Sequence, residues 1–227
     1  MQADRPHHLQ HRQRLRRRLL DQGGEGLPDY ELLELLLFGA RPRQDVKPLA
    51  KDLIRHFGGF AEVLSAEPDQ LQAVPGVGES VAATLKAVQS AALRLSQRQL
   101  RERPVLSSWQ ALIDYCHAAM AYSRNEEFRL IFLDRRNHLI ADEVQQRGTV
   151  DQTAVYPREV VRRALDLNAT AMILVHNHPS GDPTPSKADV EMTRQVVAAA
   201  EPLGIVVHDH VVIGRDAHAS FRALGLL

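Results

Sequence analysis

The run Ala171-Met-Ile-Leu-Val175, followed by His176-Asn-His-Pro179, constrains this chain more than any other segment. The five residues are apolar and rich in strand formers, so they predict a buried strand that delivers His176 at its end. In an extended chain His176 and His178 share a face. Pro179, Gly181, Pro183 and Pro185 then exclude a helix, and Ser186 to Asp189 opens one over Lys187 to Ala200, with Asp189 in its first turn. Two imidazoles, a hydroxyl and a carboxylate therefore fall within fourteen residues. Two histidines and one carboxylate leave one tetrahedral position open for water, the arrangement of a catalytic rather than a structural zinc.

Taken singly, these signals are ordinary. A His-x-His pair at a strand end is commonly a surface feature, and Ser-x-x-Asp is a helix-capping signature. The complete string is more restrictive: His-x-His-Pro, six residues, Ser186, two residues, Asp189. It matches the JAMM (MPN+) metalloprotease motif, and the wider run His176-Asn-His-Pro-Ser-Gly-Asp-Pro-Thr-Pro-Ser-Lys-Ala-Asp189 resembles the version carried by the bacterial RadC family. The resemblance continues through Arg147-Gly-Thr149, Val155-Tyr-Pro-Arg-Glu159 and Asp209-His210, so it covers residues 104–227. Upstream, Leu27-Pro-Asp-Tyr-Glu-Leu-Leu-Glu-Leu-Leu-Leu37 and Pro75-Gly-Val-Gly78 resemble the family's N-terminal part.

That resemblance implies a zinc ion held by His176, His178 and Asp189, and hydrolysis of a peptide or isopeptide bond in a protein or peptide substrate. Such chemistry also needs a general base near the metal. In the family this is a glutamate on an early strand, and Glu126 occupies the matching place. Glu127 is the alternative, because adjacent strand residues face opposite ways and only one can point at the zinc. Both could instead be solvent-facing charges at a strand start, and Glu143 and Glu159 are weaker candidates. Ser186 has two compatible roles, as a helix N-cap and, by the resemblance, as a donor to the developing oxyanion. Asn177 should point away from the histidines and fix the loop. His208 and His210 are expected to share a strand face and imitate a second ligand pair; without a third ligand they read as structural, or as hydrogen-bond partners of His176 or His178.

Along the chain, residues 8 to about 100 read as helices only. Leucines at 32, 33, 35, 36 and 37, then Leu49, Leu53, Ile54 and Phe57 before Gly58-Gly59, mark two amphipathic helices with a glycine stop. The string Val74-Pro-Gly-Val-Gly78 resembles a helix-hairpin-helix, in which Gly76, Val77 and Gly78 would offer amides to a DNA phosphate without reading sequence. A turn joining two packed helices needs no such ligand. From Pro104 strands and helices alternate: a helix capped by Ser107 or Ser108, a strand from Glu126, a turn at Asp134–Asn137, a strand from Leu139, a helix from Pro157 and a last strand from Ile205 to Ile213. The expected fold class is α/β (α+β), a mixed sheet flanked by helices, preceded by a small all-α domain. The expected organisation is a basic arm at 1–20, a helical domain at 21–103 and a zinc hydrolase domain at 104–227.

Composition bounds the rest. With 28 basic and 28 acidic side chains in 227 residues, whole-chain charge predicts no partner. Residues 1–18 nevertheless carry Arg5, Arg12, Arg14, Arg16, Arg17 and Arg18 against Asp4, an arm that suits phosphate or is simply a solvated helix face, with His7, His8 and His11 belonging to it. The alternative function is therefore a DNA-associated repair or recombination factor that uses its metal domain as a platform. Phosphodiester hydrolysis fits less well, since nucleases favour hard oxygen ligands and paired metals. The single cysteine, Cys116, excludes an internal disulfide and reads as a buried, inert thiol. No apolar run reaches membrane-spanning length and no apolar segment follows the N-terminal arginines, so the expectation is a cytoplasmic protein without membrane contact.

Overall fold

The computed structural model describes the backbone at residues 7–147 and 155–227, and side chains at 10–145 and 155–227. Arg5, the side chains of His7 and His8, and the Gly148-Thr149 pair lie outside the described residues. The chain divides into two compact units, Met1–Ala92 and Leu93–Leu227.

The first unit is all-helical: α1 (His7–Gln22), α2 (Asp29–Ala40), α3 (Lys47–Phe57), α4 (Phe60–Ser65), α5 (Pro68–Ala73) and the opening turns of α6 (Glu79–Glu102). Leu15, Leu33, Leu37, Leu53, Leu71 and Leu85 converge in its core. Gly58 ends α3 in the left-handed region at φ 108°, as the glycine stop predicts. Within the expected basic arm the described residues, from His7 on, form α1, with Arg14, Arg16 and Arg17 exposed and another face packed. Leu15 is buried, and the Arg12 guanidinium donates to the carbonyl oxygens of Phe38, Arg41, Pro42 and Gln44, where α2 runs out of intrahelical partners. Arg18 pairs with Glu31 at 2.6 Å.

The boundary after residue 103 also shifts. Leu93 and Leu100 on α6 pack in the core of the second unit, and the helix continues to Glu102. A 3-10 turn follows at Val105–Ser108, where the Ser107 and Ser108 hydroxyls donate back to the Pro104 carbonyl instead of capping the next helix, α7 (Trp109–Met120).

The remaining elements are β1 (Glu127–Leu133), β2 (Leu139–Arg147), α8 (Pro157–Asp166), β3 (Ala171–Asn177), α9 (Lys187–Ala200), β4 (Val206–Ile213) and a short β5 (His218–Ser220) that periodicity did not reveal. Among the described residues they make a five-stranded sheet in the order β2-β1-β3-β4-β5. Strands β3 and β4 are parallel, joined through α9, and the other pairs are antiparallel, so the sheet is mixed. Helices cover both faces: α7 and the end of α6 pack on Ile131, Leu133, Ile173, Val175, Val211 and Ile213, while α8 and α9 pack on Phe128, Leu130, Phe132, Met172 and Leu174. Every residue of β3 is buried, which explains its unbroken apolar run. Cys116, on the buried face of α7, has its thiol pushed up to about 12 by burial. No described helix is long and apolar enough to cross a membrane.

Candidate metal centre

His176 sits at the end of β3 beside Phe128 of β1, on the face covered by α8 and α9. His178 follows where the strand breaks, its N–H donating to the Ile213 carbonyl at 2.9 Å. Asp189 is the third residue of α9 and forms a reciprocal cap with Ser186: the Ser186 N–H donates to Oδ2 at 2.7 Å, and the Asp189 N–H to the Ser186 hydroxyl at 3.1 Å. The cap fixes the carboxylate. His176 Nε2 lies 2.9 Å from His178 Nε2, and each of these nitrogens lies 3.5 Å from one Asp189 oxygen. Four-coordinate zinc with bonds near 2 Å separates its ligand atoms by about 3.3 Å, close to this triangle.

The donor set asks for a cation. His178 Nδ1 lies 2.8 Å from the Asp182 carbonyl, which can only accept, so that nitrogen carries the proton. His176 Nδ1 meets His210 Nε2 at 2.8 Å. A neutral His178 then turns its Nε2 lone pair toward His176 Nε2 and the Asp189 carboxylate, a place that suits a proton or a metal ion. Electrostatics agree. Asp189 holds the His178 imidazole above its ordinary value despite partial burial, with the Asp182 carbonyl and the charge of Glu126 acting the same way. Burial alone would raise the Asp189 carboxyl, yet the His176 and His178 imidazoles 3.5 Å away, with the Ser186 N–H, hold it well below the usual carboxylate range. Among the described residues these three are the histidine and acidic side chains whose donor atoms gather within 4.8 Å.

The two neighbouring glutamates part company. Glu127 opens β1 on the α7 face, buried, with its carboxylate 2.7 Å from Arg129, which also grips Asp142 at 2.7 Å. Its direction is away from His176, because Phe128 between them pairs with His176 on the other face. Glu126 is half-buried just before the strand, near enough for its charge to act on His178. Asn177 brackets it: Oδ1 accepts the Glu127 N–H at 2.8 Å and Nδ2 donates to the Asn125 carbonyl at 3.2 Å, as expected of a residue pointing away from the histidines. Glu143 and Glu159 are occupied elsewhere, with Arg163 and Arg162 on α8.

His208 and His210 do not share a face. Met172 pairs with Val207 and Ile173 with Asp209, so His208 is skipped and the alternation inverts. His208 meets Asn137 at 2.7 Å, whereas His210 is fully buried against His176. Thr193 and Gly214 also belong to the site's surroundings. Thr193 Oγ1 touches His210 Nδ1 at 2.6 Å, and Gly214 lies against the Gly181 carbonyl of the metal loop. A faint signal for Thr193 is its position four residues after Asp189, one helical turn along.

At the hairpin, Gly76 is left-handed at φ 90° and its carbonyl accepts from Arg41 at 2.9 Å. The Val77 side chain is buried and its N–H donates to the Val74 carbonyl, while the Gly78 carbonyl accepts from Val81 and Ala82 in the first turns of α6.

Comparison with known proteins agrees with this architecture. Residues 106–226 match the RadC-like JAB domain, and residues 7–83 match the UPF0758 N-terminal region. A UPF0758 protein from Rhodobacter capsulatus is 63% identical over 213 residues, spanning 94% of this chain and 100% of the relative. With a helical UPF0758 N-terminal region followed by a RadC-like JAB domain, the chain belongs to the UPF0758 (RadC-like) family.

Proposed function

We propose that the protein is a zinc-dependent hydrolase of JAMM type that cleaves a peptide or isopeptide bond. The observation that carries this is the convergence of His176 Nε2, His178 Nε2 and Asp189 into one triangle that suits a metal ion. When bound there, zinc supplies Lewis acidity and an activated water. Glu126, beside His178, takes the proton from the attacking water and delivers it to the departing amine. The Ser186 hydroxyl accepts from the Asp189 N–H, which leaves its own proton to donate to the oxyanion that develops on the substrate carbonyl. Imidazole-rich ligation favours zinc over the hard, oxygen-ligated metals of nucleases.

Elemental analysis of purified protein, with turnover measured on a diverse peptide and isopeptide library, tests the reading. Wild type should hold about one zinc per chain, a stoichiometry set by the single three-ligand site. His178→Ala should lose the metal, and Glu126→Gln should keep it without turnover. A metal-free, inactive wild type that binds DNA in a salt-dependent way would overturn the hydrolase and favour a DNA-associated factor acting through Gly76–Gly78.

A further inference from the structure

We propose that Thr193 and His210 form a buried relay that sets the tautomer of His176, keeping its proton on Nδ1 and its Nε2 lone pair free for the metal. The inference rests on reading His176, His178 and Asp189 as a metal site. The hydrogen bonds run in one direction only. Thr193 Oγ1 lies 2.6 Å from the Asp189 carbonyl oxygen, which has no proton to give, so the hydroxyl spends its single proton there. The opposite polarity would press two lone pairs together at that distance. The same Oγ1 lies 2.6 Å from His210 Nδ1, which must therefore be the donor. His210 Nε2 is then the acceptor facing His176 Nδ1 at 2.8 Å, and His176 donates to it.

The surroundings hold this state in place. His210 is fully buried, stacked on Phe221 at 4.5 Å and edge-on to Phe128 at 5.8 Å, an apolar enclosure that favours a neutral, immobile ring. It points at His176 because the bulge at His208 inverts the alternation of β4; a regular strand from Val207 would send residue 210 to the α7 face. The relay also closes on itself, since Asp189 anchors Thr193 with its main chain and offers its side chain to the ion. Metal-bound histidines usually donate their second N–H to a carboxylate, a carbonyl or water. A neutral imidazole in that place orients His176 without adding a second buried negative charge behind it.

Thr193→Val removes the hydroxyl at nearly constant shape, and Thr193→Ser restores it. Long-range proton–nitrogen NMR of the metal-free full-length protein, in alkaline solution where imidazoles are neutral, reads the tautomers; titration with zinc alone reads affinity. Wild type should show His176 protonated at Nδ1. Thr193→Val should mix the His176 and His210 tautomers and weaken zinc binding about 10-fold or more, the usual cost of losing a partner behind a ligand, and Thr193→Ser should recover both. His178→Ala should lose zinc while His176 keeps its tautomer, which separates the relay from the metal site. The relay is wrong if wild-type His176 carries its proton on Nε2, a result that needs no variant to fold, or if Thr193→Val leaves tautomer and affinity unchanged. Wild type with the expected tautomer but no affinity for zinc would overturn the metal reading, and the relay's purpose with it.

Discussion

At the scale of single residues, Glu126 and Glu127 make opposite predictions. Glu127 shares Arg129 with Asp142 inside the α7 face, so Glu127→Gln should cost about 1–3 kcal/mol in urea denaturation and leave zinc affinity unchanged. Glu126→Gln should change stability by no more than about 0.5 kcal/mol and abolish turnover. His178 sets a pH dependence. Its folded value is raised by Asp189, so in metal-free protein the protonated ring contributes stability that is fully present below the ordinary imidazole value of about 6.5 and is lost as pH rises through the folded value. Zinc needs the same nitrogen unprotonated. Its affinity should therefore rise across that window while the melting temperature of the metal-free protein falls, both measurable by thermal scans with and without zinc. Acid acts on Asp189: its depressed carboxyl contributes stability that is fully present above the ordinary carboxylate range and is lost progressively as pH falls below it.

At the scale of elements, the metal loop depends on the turn after β4. The Arg215 N–H donates to the Gly181 carbonyl at 3.0 Å, and a Cβ at Gly214 would lie 2.4 Å from that carbonyl oxygen and 2.8 Å from Pro183 Cδ. Gly214→Ala should push the loop between His178 and Ser186 outward and weaken zinc binding by roughly 10-fold or more, a loss of the size seen when a ligand's support is removed. A calorimetric zinc titration of that variant would show it. Unchanged affinity would mean that the loop yields without moving His178. The bulge at His208 works the same way in β4, one extra residue deciding which histidine meets the site.

At the scale of the whole molecule, the candidate metal site of His176, His178 and Asp189 lies entirely within Leu93–Leu227. Zinc at 100-fold over its dissociation constant should add about 2.7 kcal/mol to the unit that binds it. Hydrogen exchange should accordingly show slowed amides in β3, α9 and β4, and little change in the helices of Met1–Ala92. Equal protection of both units would show that they unfold as one. The helical unit has its own core and its own device, Arg12 closing the C-terminal end of α2, so its integrity does not require the metal.

The chain order already specified a great deal. The apolar run of β3, the prolines after it and the Ser186–Asp189 cap are local codes, each acting within a few residues, and they determined where His176, His178 and Asp189 would stand. The leucine periodicity and Gly58 did the same for the helical unit. Contacts between distant residues were decided only by the tertiary structure. Arg12 reads as a solvated arginine until Phe38 at the end of α2 and Arg41, Pro42 and Gln44 just past it supply their carbonyls to it. Strict alternation pairs His208 with His210, and only strand pairing with β3 reveals the bulge that separates them. Gly214, Thr193 and the division of labour between Glu126 and Glu127 likewise depend on what packs opposite. Local stereochemistry acts through the backbone of a few adjacent residues and so is written in sequence; burial, register and hydrogen-bond direction belong to pairs of residues that meet only once the sheet has formed.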